Sequence, residues 1–171
     1  MSVCVFFGSS KIDENDEHYS LTMELSGKVA ELGYDIASGG YSGVMEAALR
    51  GAVNYNVRRI GITCDLFKDR IPNDFLSDEI KTKDYFERLE ILIDIGDFFI
   101  AMAGESGTLF EVSAVFALLE RNFIENRYLL MVGSEWRSLN GFLHFEDNKK
   151  NIMFADDLKS ATEIIRTIQL N

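Results

Sequence analysis

The chain has 171 residues, of which 47% are hydrophobic and 26% charged, enough for one domain with a good-sized core. A formal net charge of −11 argues against nucleic acid as a partner, while leaving room for a local pocket that takes one small phosphate. One proline and thirteen glycines argue against a disordered chain, no stretch reaches membrane-spanning length, and Cys4 and Cys64 lack metal-type spacing and disulfide density, as reduced thiols of a cytoplasmic protein do.

Val3 to Phe7 is a run of β-formers that ends in Gly8, Ser9 and Ser10, a first strand leading into a loop. Lys11 to Glu17 is polar. From His18 the apolar residues fall at helical spacing, Leu21, Leu25, Val29 and Leu32, with Gly33 as the stop. Tyr34 to Ala37 reads as a second strand. Ser38 to Gly43 is a small-residue loop containing Gly39 and Gly40, and Val44 to Asn54 is helical, with alanines that suit close packing on a sheet. Arg59 to Thr63 is a third strand. Cys64 to Lys81 reads as irregular, a lid or an edge cover.

Lys83 to Ile95 follows as a helix, and Asp97 to Met102 as a fourth, buried strand. The turn from Ala103 to Gly107 leads into a helix that runs from Thr108 to about Phe123. Arg127 to Val132 is a fifth strand, Trp136 to Phe145 is helical, Ile152 to Phe154 is a short strand, and Leu158 to Leu170 is a closing helix. Strands alternating with helices predict an α/β fold. Residues 1–171 should form a single domain, a Rossmann-like three-layer sandwich with a mostly parallel sheet and helices on both faces. Ligands of such sheets bind beyond the carboxyl ends of the strands, where the strand order reverses. The loops after the first, second and fourth strands should therefore line one crevice, over a helix N-terminus that favours an anion. No Gly-x-Gly-x-x-Gly follows the first strand and no Walker pattern occurs, so a bound dinucleotide is not expected.

Two segments carry a family resemblance: Val3 to Ser10 (Val-Cys-Val-Phe-Phe-Gly-Ser-Ser) and Gly39 to Glu46 (Gly-Gly-Tyr-Ser-Gly-Val-Met-Glu). Arg88, Gly107-Thr108 and Glu111 follow in order. Together they resemble the Lonely Guy (LOG) phosphoribohydrolases, long labelled possible lysine decarboxylases. Gly43 to Ala48 with Arg50, Gly51 and Ala52 also resembles the molybdenum-cofactor carrier proteins of the same superfamily. The resemblance implies a homodimer that hydrolyses a nucleoside 5′-monophosphate, of the AMP or cytokinin riboside type, to free base and ribose 5-phosphate. It implies no cofactor and no metal. The implied catalytic residues are Arg88 and Glu111. The nucleotide would be cradled by Ser9, Ser10, Gly39, Gly40, Gly43, Met45, Gly104, Glu105, Ser106, Gly107 and Thr108.

The chain departs from the family's loop, Pro-Gly-Gly-x-Gly-Thr-x-x-Glu, at Ala103 and Glu105, and Leu89 replaces the usual lysine after the arginine. Glu105 puts a carboxylate where phosphate is expected, and would strain the turn if that position needs a positive φ. A carrier or sensor of a phosphorylated small molecule is the alternative function. Two residues keep a second reading on spacing alone. Thr108-x-x-Glu111 has the form of a capping box, and Arg88 stands within reach of Asp84 or Asp94 on its own helix. A dimer face is expected from apolar residues to spare on the third and fourth helices: Phe86, Leu89, Val115, Phe116 and Leu119.

Overall fold

The computed structural model describes residues 2–139 and 151–169. The elements in chain order are β1 (Val3–Phe7), α1 (Glu17–Glu31), β2 (Asp35–Ser38), α2 (Val44–Gly51), β3 (Arg59–Cys64), β4 (Asp78–Thr82), α3 (Tyr85–Ile95), β5 (Phe98–Ala101), α4 (Ser106–Glu120), β6 (Tyr128–Val132), a 3-10 turn (Ser134–Leu139), β7 (Ile152–Ala155) and α5 (Leu158–Gln169). The strands form one seven-stranded sheet in the order β4-β3-β2-β1-β5-β6-β7, and every pair is parallel. The order reverses between β1 and β5, which pair from Cys4–Phe98 to Phe7–Ala101.

The central strands are unbroken apolar runs because helices cover both faces of the sheet. Val3, Val5 and Phe7 of β1 point to one side, into a core shared with Phe99, Met131, Leu92 of α3, and Val112 and Val115 of α4. Cys4 and Phe6 point to the other, among Phe98, Ile100, Leu130, Leu25 and Val29 of α1, Ala48 of α2 and Ile165 of α5. This two-sided burial pushes the Cys4 thiol well above its ordinary pKa and leaves it a packing residue.

Four expectations change here. The stretch from Cys64 to Lys81 is not wholly irregular, because it contains the edge strand β4. Its sequence, Asp-Glu-Ile-Lys-Thr, carries the charges an edge tolerates and an interior strand does not. The spare apolar face expected on α3 and α4 is mostly core. Leu89, Val115, Phe116 and Leu119 are buried, and of the five residues only Phe86 stands exposed. Helix α2 ends at Gly51 rather than near Asn54. A Cβ at Gly51 would meet the Met23 carbonyl oxygen, so α1 and α2 pack there backbone to backbone. The helix expected from Trp136 to Phe145 is a 3-10 turn up to Leu139, with the Trp136 indole N–H donating to the Ala101 carbonyl at 3.1 Å; its remainder, and His144, lie outside the described residues.

Candidate functional site

At the carboxyl ends of β1 and β5 the chain makes two linked corners. The Ser9 N–H donates to the Ala103 carbonyl at 3.1 Å, and the Ser9 carbonyl accepts from the Val44 N–H at 2.8 Å. Gly43 adopts φ +73 and has the Ser9 carbonyl where a Cβ would lie, so only glycine fits this junction. Gly104 is pressed just as closely between the Ser9 backbone and the Thr108 hydroxyl.

Over these corners opens a crevice of about 540 Å³, lined by residues from all along the chain: Gly8, Ser10 and Lys11 after β1, Met45 on α2, Leu66, Phe67 and Arg70 after β3, Tyr85 and Arg88 on α3, and Glu105, Ser106, Gly107, Thr108, Phe110 and Glu111 at the start of α4. Eight of the expected site residues are thus brought together: Ser10, Met45, Arg88, Glu105, Ser106, Gly107, Thr108 and Glu111. Ser9, Gly39, Gly40, Gly43 and Gly104 do not line the crevice. They form its backing, because the loop after β2 is folded against β3 and α3. Gly40, at φ +78, lies on Gly61, and Asn73 donates to both the Gly40 and Tyr41 carbonyls.

On the floor lies a buried ion pair. Arg88 Nη1 donates to Glu111 Oε1 at 3.0 Å, and the two residues are only 4% and 7% exposed. Arg88 Nε donates to the Ile62 carbonyl at 2.9 Å, and the guanidinium lies against the Phe67 and Tyr85 rings, 5.9 and 5.7 Å from their centroids. The local alternatives fall away. Asp84 caps α3, accepting from the Phe86 and Glu87 N–H groups, and does not pair with Arg88 through its side chain. Helix α4 begins at Ser106 with Glu105 as its N-cap residue, so Glu111 stands beyond the first turn and forms no capping box with Thr108. Burial pushes the Glu111 carboxyl above the ordinary carboxylate range, against the pull of Arg88. Burial also raises the Tyr85 phenol, and the Glu111 charge adds to that. The Thr108 residue is buried in the crevice wall, and its hydroxyl finds no hydrogen-bond partner among the described residues.

Gly39 gives this pair its room. A Cβ there would fall 1.6 Å from Arg88 Nη2 and 2.7 Å from Met45 Sδ. The guanidinium cannot swing aside without leaving the Ile62 carbonyl and Glu111. Gly39→Ala is therefore expected to destabilise the fold by about 1–3 kcal/mol and to disorder the Arg88–Glu111 pair. Urea unfolding of the variant checks this, and a midpoint equal to that of the parent would refute it.

The Glu105 backbone is extended (φ −93), so its side chain imposes no left-handed strain. Its carboxylate accepts from Ser9 Oγ at 3.0 Å and lies 3.6 Å from Lys11 Nζ. Lys11, Leu66, Phe67, Arg70, Tyr85 and Phe110 complete the lining, and no sequence motif marks them. Tyr85 stacks on Phe110 and meets Phe67 edge-on. Cys64 is buried at the end of β3, its N–H donating to the Tyr41 hydroxyl at 2.9 Å.

A family model described as the SLOG cluster4 family matches residues 1–162. A relative from Archaeoglobus fulgidus, described as an uncharacterized protein, is 30% identical over 106 residues, which is 62% of this chain and 68% of that protein. Among solved structures, a molybdenum cofactor binding protein from the phototrophic bacterium Rippkaea orientalis superposes with a TM-score of 0.77 at 22% identity, covering 97% of this chain and 95% of that one. The molybdenum cofactor carrier protein of Chlamydomonas reinhardtii gives a TM-score of 0.74 at 19% identity, with 100% of both chains covered. At these identities the structural likeness establishes the Rossmann-like fold.

Proposed function

We propose, from the premise that this chain belongs to the SLOG cluster4 family and so to the LOG-like superfamily its motifs resemble, that the crevice hydrolyses the N-glycosidic bond of a nucleoside 5′-monophosphate. The observation that carries the reading is the buried Arg88–Glu111 pair on the floor of a crevice of nucleotide size. Breaking the bond sends its electron pair to the base nitrogen and builds positive charge at the sugar carbon. The Glu111 carboxylate stabilises that charge and accepts a proton from the attacking water, whose oxygen bonds to the carbon; the departing base nitrogen takes a proton from solvent, and Glu111 returns its own to solvent. With Nε on the Ile62 carbonyl and Nη1 on Glu111, Arg88 serves to orient that carboxylate. The unpartnered Thr108 hydroxyl supplies a hydrogen bond to the ligand.

Incubating the protein with each common nucleoside monophosphate and separating the products by chromatography tests the reading. Free base together with ribose 5-phosphate is the expected result; intact nucleotide throughout would sink it. Binding without product would favour a carrier of a phosphorylated small molecule. Two observations favour that second reading: Glu105 at the start of α4, and the binding and carriage of molybdenum cofactor by proteins that share the fold.

The reading includes a homodimer. Phe86, 73% exposed, stands edge-on to Phe110 at a centroid distance of 6.2 Å, and Phe110, half-exposed, lines the crevice. Light scattering is expected to give twice the chain mass, and Phe86→Glu to return it to one; a parent protein that scatters as a monomer would remove the dimer.

A further inference from the structure

The cations of the crevice are unevenly committed. Arg88 is neutralised by Glu111, and Lys11 lies 3.6 Å from Glu105. The third, Arg70, has no carboxylate partner among the described residues. Its guanidinium rests over the Phe67 and Tyr41 rings, 5.0 and 5.8 Å from their centroids, contacts that hold it in place without cancelling its charge. Beside the start of α4 stands the Glu105 carboxylate, which caps no helix N–H group and accepts from Ser9 Oγ. A dianionic phosphate placed there would meet that like charge.

We propose that the anionic group of the ligand is bound by Arg70, on the β3 side of the crevice, and not at the N-terminus of α4. The ligand class is a phosphomonoester attached to a ring system. Its charged end meets the planar guanidinium, and the body of the molecule lies along the Tyr85–Phe110 wall toward Thr108. The inference rests on the reading of the crevice as a nucleotide site, and it is tested by binding, without turnover.

Calorimetric titration of the full chain carrying Glu111→Gln, which blocks turnover, with AMP and with adenosine separates the possibilities. Arg70→Gln is expected to weaken AMP by about tenfold or more and to leave adenosine unmoved, with Arg70→Lys in between. Glu105→Gln is expected to change AMP affinity by less than about threefold. Three outcomes overturn the proposal: AMP affinity untouched by Arg70→Gln, a tenfold gain on Glu105→Gln, or no AMP binding with Arg70 in place. If the expected binding pattern appears and the protein with Glu111 intact releases no base from AMP, the hydrolase reading fails and the assignment of Arg70 stands.

Discussion

Replacing Glu111 with Gln is expected to cut release of base from AMP by about a thousandfold, while AMP affinity stays within about threefold of the parent. The amide keeps nearly the shape of the carboxylate and still offers an oxygen to Arg88 Nη1, so the floor of the crevice stays packed. The variant loses the negative charge that faces the developing cation and the base that takes the proton from water. Both are demands of the transition state, so kcat falls and KM barely moves. Turnover within tenfold of the parent in a folded Glu111→Gln protein would remove the role. The same assignment sets the pH profile. The step needs the carboxylate, and burial raises the pKa of Glu111. The ionised fraction therefore grows as pH climbs through that raised value. The acid limb of kcat/KM should lie above the ordinary carboxylate range, and a limb within that range would mean that a different group controls the rate.

How much of this was readable in advance follows burial. Strands β1 and β5 announce themselves because both faces are covered and almost every residue must be apolar, and their adjacency follows from the parallel topology. Strand β4 hides because an edge strand with one protected flank can be written as Asp-Glu-Ile-Lys-Thr, which reads as loop. Apolar residues on α3 and α4 looked surplus because a sequence does not show how much helix surface the sheet absorbs. Phe99 and Met131 share the core with Val115, Phe116 and Leu119. Helix α4 starts at Ser106, two residues before the expected Thr108, because Ser106 and Gly107 are turn-formers by composition yet open its first turn. Motif order found Arg88 and Glu111. It could not show that Gly39, forty-nine positions from Arg88, exists to leave the guanidinium its space, since that is a tertiary contact with no local pattern. For the same reason no motif marks Phe67, Arg70 and Tyr85: each is ordinary where it stands in the chain, and the loop pair Phe67 and Arg70 comes together with Tyr85 only in the fold.

Arg88→Met should be the most destabilising single change at the site, by about 3–5 kcal/mol near neutral pH. Methionine replaces much of the arginine's stem between the Phe67 and Tyr85 rings, so the loss is not chiefly one of packing. It comes from a Glu111 carboxylate left buried with no cation beside it, and from an Ile62 carbonyl deprived of its donor. The pH dependence identifies the cause. Burial raises the Glu111 pKa in the folded protein, and Arg88 is what lowers it. Without Arg88 the folded state holds its proton still more tightly than the unfolded chain does. A raised folded pKa contributes stability that is fully present below the unfolded value and is lost as pH climbs through the folded one. The gap between parent and variant should therefore be smallest below the raised Glu111 pKa, where the carboxyl is protonated, and widen as pH climbs through it. Denaturant titrations of both proteins across that range check it. Adding Glu111→Leu to Arg88→Met should remove the pH-dependent part of the loss, since no buried charge then remains to be stranded. A destabilisation of equal size at every pH would show that Arg88 contributes packing alone, and the buried pair would lose its electrostatic meaning.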